Sequence, residues 1–279
     1  MASVATAATT MTTRPKVGAL LREWRQRRRL SQLGLACEAE ISQRHLSYVE
    51  SGRARPSREM LLHLAERLDV PLRERNALLV AAGYAPVFPE RRLDDPALAA
   101  ARQAMESVLK AHEPFPALAV DRRWCLVAAN ATFGALLEGV SDPALLSPPV
   151  NVLRLSLHPG GVAPRIANLA EWRAHILERL HRQVETTADP GLMDLLKELR
   201  GYRLPTVAAV PPPRVDAAGG FVVPLRLRVG DGAELSFLST TTVFGTAVDI
   251  TLAELTLEAF YPADPATAEA LRRLATKSE

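Results

Sequence analysis

Cysteine is nearly absent. The chain of 279 residues has two, Cys37 and Cys125. So few, so far apart in sequence, exclude a disulfide-stapled scaffold and read as free thiols in a reducing compartment. Aromatic residues are scarce as well, at 5%. No run of about 18 apolar residues occurs, which excludes a membrane-spanning helix. The opening stretch MASVATAATTMTTRPK lacks both the basic start and the apolar segment of a secretory signal. Residues 1–16 are therefore expected to form a flexible tail, with Met11 as an alternative start. Patterns that carry chemistry are missing too. There is no Gly-x-Ser-x-Gly and no glycine-rich loop ending in lysine. The six histidines are scattered. Glu178 and His181 have the i, i+3 spacing of half a di-iron site, but such a site needs two of these pairs and two further glutamates. No catalytic residue, metal site or cofactor is expected, and the chain is not expected to be an enzyme.

What is present describes a globular protein long enough for two domains: 48% of residues are hydrophobic and 23% charged. The formal net charge is +3. The excess of basic over acidic residues lies in the first 90 or so positions, and the remainder is slightly acidic. A basic half suits neutralisation of phosphates. A cytoplasmic, nucleoid-associated location follows as the expectation.

The stretch Leu30 to Gly52, LSQLGLACEAEISQRHLSYVESG, reads as two short helices joined by a tight turn. Ser31 is a good N-cap before the apolar run Leu33, Leu35 and Ala36, because its hydroxyl accepts from free N–H groups of a first turn. The pattern breaks at Glu40 and Ile41. Ser42 caps a second run whose apolar positions, Leu46 and Val49, share one face. The open face carries Gln43, Arg44, Ser47 and Tyr48. A helix-turn-helix has this arrangement, with the N-terminal residues of its second helix touching base edges in the major groove.

The same stretch resembles the helix-turn-helix of phage-repressor-like regulators, the XRE (Cro/C1-type) family. The matching residues are LSQ at 30–32, LA at 35–36, ISQRHLSYVESG at 41–52 and RPS at 55–57, within a wider match from Val17 to Pro71. The resemblance implies that Gln32 opens helix 2 and contacts the DNA backbone. It places Ser42, Gln43, Arg44, Ser47 and Tyr48 at the reading surface. Two positions depart from a well-formed motif. The family carries Gly at the turn, where φ is often positive, and this chain has Glu40, at a cost of about 1 kcal/mol. Gly34 inside helix 2 is a weakness of similar size.

Around this motif, Val17–Arg28 reads as an amphipathic helix with Leu20, Leu21 and Trp24 on one side and the run Arg27–Arg28–Arg29 after it. That run is either a solvated face or a set of phosphate contacts. Arg53 and Arg55, in the loop after the reading helix, are placed for phosphates. A fourth helix, Arg58–Leu68, turns Leu61, Leu64, Ala65 and Leu68 to a core. A fifth runs from Pro71 to Ala82 and ends at Gly83. The expected all-α domain of five helices spans 17–83. Residues 84–93, with two prolines and no period, read as a linker.

From residue 94 the pattern becomes α+β. Asp94–Ala111 reads as a helix. Ala117–Val120 and Trp124–Ala128 read as a hairpin about Asp121-Arg122-Arg123. Asn130 caps Ala131–Leu137. Helices follow at Ala163–Glu185 and Pro190–Arg200. Strands follow at Phe221–Val229, Ala233–Thr242 and Glu254–Tyr261, with a turn at Gly230-Asp231-Gly232 and a last helix near Pro265–Ala275. This order suits a single antiparallel sheet with helices on one face, as in PAS domains.

The phrases HEPFPALAVDRRWCLVAAN (112–130), NVLRLSLHPGG (151–161), ELRGYRLP (198–205) and LSFLSTTTVFGTAVDITLAELTLEAFYPAD (235–264) resemble the MmyB-like ligand-binding domain, and residues 57–86 resemble the helix-turn-helix found with it. The resemblance implies a bacterial transcriptional regulator, double-stranded DNA as a partner, and a PAS-like sensor domain at 94–279. For some members it implies a small hydrophobic, fatty-acid-like ligand. A PAS-like cavity is expected to be lined by Trp124, Leu126, Phe133, Leu153, Leu155, Trp172, Ile176, Phe237, Leu238 and Phe244. Each of these alone reads as plain core; as a group they suit a pocket. Arg154, His158, Arg165 and Arg173 are candidates for a clamp on a ligand carboxylate, since guanidinium forks fit carboxylates. The expected assembly is a homodimer on a two-fold site. A C-terminal domain that binds a protein partner instead of a small molecule is the alternative.

Overall fold

The structure is a computed structural model, and it describes residues 16–203, 222–230 and 232–276. The expected N-terminal tail with Met11, the end of the phrase at 198–205, Phe221 and the turn residue Asp231 lie outside the described residues. The chain divides into two compact units, Met1–Pro89 and Glu90–Glu279.

The first unit is helical: α1 (Val17–Arg27), α2 (Gln32–Glu38), α3 (Gln43–Glu50), α4 (Arg58–Arg67) and α5 (Leu72–Ala81). Serines start three of them. Ser31, Ser42 and Ser57 accept from the N–H groups of Gly34, His45 and Met60 at 2.9–3.1 Å. All five helices stop in one way. The residue two past each end has positive φ: Arg29, Glu40, Gly52, Asp69 and Gly83. The next N–H then returns to a carbonyl five residues earlier, as Ile41 does to Ala36 at 2.9 Å and Tyr84 to Leu79 at 2.9 Å. Leu21, Leu35, Leu46, Val49, Leu64, Leu68 and Leu79 are fully buried in one core. Gly18 lets α1 approach α3 closely, since a Cβ there would stand 2.3 Å from the Val49 carbonyl oxygen. Past α5, the Asn76 side chain accepts from the N–H groups of Val87 and Phe88 and donates to the Phe88 carbonyl, so the expected linker begins as packed chain.

The second unit is α+β. A 3-10 turn at Pro96–Leu98 leads into α6 (Ala99–Ala111). The hairpin β1 (Ala117–Val120) and β2 (Leu126–Ala129) follows. Then come α7 (Ala131–Ala135), α8 (Val152–Leu157), α9 (Leu169–Thr187) and α10 (Pro190–Gly201). The remaining elements are β3 (Leu225–Val229), β4 (Ala233–Val243), α11 (Ile250–Ala253), β5 (Thr256–Pro262) and α12 (Pro265–Thr276). The strands form one sheet in the order β2-β1-β5-β4-β3, antiparallel at every pairing. No helix among the described residues is long and apolar enough to cross a membrane.

The sheet is covered on both faces, where the sequence reading expects helices on one. Leu118 and Val120 of β1 join the larger core with α8, α9 and α10. Ala117 and Ala119 point the other way and pack with Met105 and Leu109 of α6. The strand period of two makes this split, and the burial of all four residues of β1 records it. Asn130 ties the layers: its Oδ1 accepts from Ala117 N and Phe133 N, and its Nδ2 donates to Leu109 O and Phe115 O.

Other departures are local. The expected helix Ala163–Glu185 is a 3-10 turn at Ala163–Arg165, then an extended Ile166 bridged to Leu227, then α9. The Asn168 side chain stands at the start of α9 without capping it; it accepts from Arg226 N and donates to Pro224 O. Trp124 is a turn residue at φ 65° rather than part of β2.

Glu40 is exposed and sits at φ 54°, the region where glycine is favoured. Glu40→Gly is expected to raise the stability of the protein by about 1 kcal/mol. Urea unfolding of the two proteins measures this, and a loss of stability would show that the Glu40 side chain contributes more than its backbone costs.

Candidate DNA-reading helix and ligand cavity

The reading helix α3 buries Leu46, Val49 and Glu50 and exposes Ser42, Gln43 and Arg44. Arg44 lies along the helix with its Nε donating to Tyr48 Oη at 3.0 Å and its guanidinium 5.4 Å from the ring centroid. Arg53 stacks on the same ring at 6.0 Å. Ser47 and Tyr48 are half-buried beside them. A cluster of two guanidinium groups, a phenol, an amide and a hydroxyl thus stands at the N-terminal half of α3 and the loop after it. These are donors of the kind that reach base edges and phosphates.

An ion pair fixes the angle of this helix. Glu50, the last residue of α3, has a fully buried side chain. Arg25 of α1 donates to it twice, Nε to Oε1 at 2.6 Å and Nη2 to Oε2 at 2.9 Å. Gln32 of α2 donates to Oε2 at 2.8 Å, and Arg22 stands 3.5 Å away. Burial opposes ionisation of Glu50, but the hydrogen bonds from Arg25 and Gln32 outweigh it and hold the carboxyl below its ordinary range. Gln32, expected at the DNA backbone, is therefore also a structural donor.

Two other arginines have structural partners. Arg55 donates through Nε and Nη2 to the Ala82 carbonyl at the end of α5 and stacks on Tyr84. Arg28 caps α4, donating to the carbonyls of Leu68 and Asp69. Of the two loop arginines expected at phosphates, Arg53 is the one that joins the α3 cluster.

The second unit holds a cavity of about 100 Å³ between the sheet and helices α8 and α9. Of the expected residues, Trp124, Phe133, Leu153, Leu155, Trp172 and Ile176 line it, and Leu118, Leu136, Val152, Ile166, Leu227 and Phe260 are among the other apolar groups of its wall. Leu126 packs against the surrounding core. Phe237 is fully buried in that core and meets Phe260 edge to face at 6.3 Å. Phe244 packs against the opposite face of the sheet, and Leu238 pairs with Tyr261.

None of the four residues expected to form a clamp lines the cavity. Arg154 is bidentate to Glu198. His158 accepts from Gly160 N and stands edge-on to Tyr202. Arg165 donates to the carbonyls of Leu136 and Glu138, and Arg173 to those of Leu199 and Arg200. The arginine that does line it is Arg179 of α9, together with Glu258, Ser239 and Ser156. Sequence reading passed over this pair, although the signal was there. Arg179 lies seven residues after Trp172 on the apolar stripe of α9, and Glu258 shares a strand face with Phe260.

Residues 101–274 match the family model described as the MmyB-like transcription regulator ligand binding domain. Residues 16–78 match that of a helix-turn-helix domain. No curated protein matches the chain. One similar solved structure is described as that of an RNA-binding light-oxygen-voltage receptor. It is 14% identical, its match covers 100% of this chain and 70% of that one, and its TM-score of 0.22 carries no argument.

Glu50→Gln leaves the buried Arg25 without a counter-charge and is expected to cost about 3 kcal/mol at neutral pH. The folded carboxyl titrates below the unfolded value of about 4.3, so its contribution is complete above that pH and is lost as pH falls through the folded pKa. The gap between wild type and variant in urea unfolding should therefore narrow at about pH 3. A gap unchanged by pH would mean that the carboxylate's charge is not what holds α3.

Proposed function

The chain belongs to the family of MmyB-like transcription regulators with a ligand-binding domain, and from this premise we propose a two-part mechanism for it. The helical unit recognises a specific DNA sequence through α3. Gln43, Arg44, Ser47 and Tyr48 meet base edges, Ser42 and Arg53 meet the sugar–phosphate backbone, and the protein binds as a homodimer on a two-fold site. The α+β unit is PAS-like and acts by binding rather than catalysis. It takes a small hydrophobic ligand that is fatty-acid-like in having an apolar body and one polar end.

The single observation that supports the ligand reading is the apolar cavity with its polar corner at Arg179, Ser239 and Glu258. A unit that served only to dock a protein partner has no need of an unfilled interior, because a void forfeits the packing contacts of its lining. Occupation of the cavity shifts whichever arrangement of α8 and α9 it fits best, and so biases DNA affinity.

Selection of bound duplexes from a random pool, followed by titration, tests the reading head. Arg44→Ala is expected to cost about 1–3 kcal/mol on the selected site and to relax base preference there, with little change on random duplex. Equal binding of wild type and variant to both duplexes would remove Arg44 from the reading surface.

A further inference from the structure

The arginine of the cavity is already engaged. Arg179 donates through Nη1 to Glu258 Oε2 at 3.1 Å and through Nη2 to Glu258 Oε1 at 2.5 Å. Nη2 also reaches Thr241 Oγ1 at 2.8 Å, and that hydroxyl donates to Glu258 Oε1 at 3.1 Å. The guanidinium lies over Trp124, 4.6 Å from the ring centroid. The Glu258 side chain is 5% exposed and that of Arg179 26%. Glu258 stands on β5 between Leu118 of β1 and Thr241 of β4, so it projects from the middle of the sheet on the cavity side.

The charges at this corner cancel. One cation and one anion face each other and each is hydrogen-bonded. His175 on α9 adds no cation, because burial and then the charges of Arg179 and Arg182 lower its pKa. Arg182 is exposed and paired with Glu178. A carboxylate arriving here meets Glu258 as well as Arg179. Two carboxylates on one guanidinium, one of them the almost fully buried Glu258, repel each other. An uncharged head group meets no such opposition. It finds the hydroxyl of Ser239, which lines the cavity two residues from Thr241 and can donate and accept.

We propose that the cavity selects an apolar molecule with an uncharged hydrogen-bonding head, such as an alcohol, amide or ester, over the matching carboxylate, and that Glu258 is the residue that sets this choice. The selection works by opposition. The pair with Glu258 removes from Arg179 the unbalanced positive charge that would otherwise attract an acid, while the lining retains the capacity to bond a neutral oxygen. The inference rests on the reading of the cavity as a ligand site.

Calorimetric titration of the full-length protein with 1-octanol and with octanoate tests it, at about pH 8 where octanoate is ionised. Wild type should bind octanol about tenfold or more tightly than octanoate, and Glu258→Gln should raise octanoate affinity by about tenfold or more. Octanoate binding wild type as tightly as octanol would overturn the selection while leaving the cavity a ligand site. An octanoate affinity unchanged in the variant would remove Glu258 from the account. Binding of neither probe to wild type would overturn the ligand reading and this inference with it. The wild-type comparison decides between alcohol and acid even where the variant fails to fold.

Discussion

The first unit depends on one buried carboxylate. Glu50 closes α3, and its partners come from α1 and α2, so a single side chain fixes three helices against one another. A helix of eight residues has little stability alone, and its direction comes from what it is packed against. Leu46 and Val49 give α3 a buried face, but apolar contact is non-directional and leaves rotation about that face loosely set. The bidentate fork of Arg25 is directional and sets it. Gly18 serves the same end, because only a residue without Cβ lets α1 come this near the carbonyls at the end of α3. The exposed face with Arg44 and Tyr48 is thus oriented by side chains on α1 and α2.

The second unit shows how a sheet with two covered faces leaves a cavity on one of them. Its β1 contributes the small Ala117 and Ala119 to the face under α6, where packing is close, and Leu118 and Val120 to the other face. On that second face α7, α8, α9, α10, α12 and the 3-10 turn at Ala163–Arg165 pack with the sheet, and they do not fill it. The void is bordered by an ion pair at one corner and by indole, phenyl and aliphatic groups elsewhere. A buried ion pair adds little net stability compared with apolar packing, so its presence at a cavity wall is better understood through what it admits.

Much of this was legible in the sequence, and the parts that were not have physical reasons. The helices of the first unit carry local signals: serine caps, apolar spacing and a glycine after α5. Glu40 stands out only against the resembling family, which carries Gly at that turn, and it sits at φ 54°. In the second unit the break before α9 was missed because the side chain of Asn168 is spent on β3, a partner distant in sequence. The turn conformation of Trp124 was missed because an aromatic residue in an apolar run reads as strand. Six of the cavity residues were named because large apolar side chains on inward faces are easy to count. The expected clamp of Arg154, His158, Arg165 and Arg173 fails because a free basic side chain looks the same in sequence as one already paired. Only the geometry shows that Arg154 belongs to Glu198 and that Arg179 is the cavity's own.

The account stands on the cavity being a place for a small molecule. The intact mass of the freshly purified protein, taken under native and then denaturing conditions, tests this most directly. The account predicts a native mass that exceeds the chain by that of one small apolar molecule, or, in protein stripped of ligand, a saturable gain of that size when an apolar probe is added. Equal masses under both conditions, with no probe retained at saturation, would contradict it and return the second unit to the role of a surface for a protein partner.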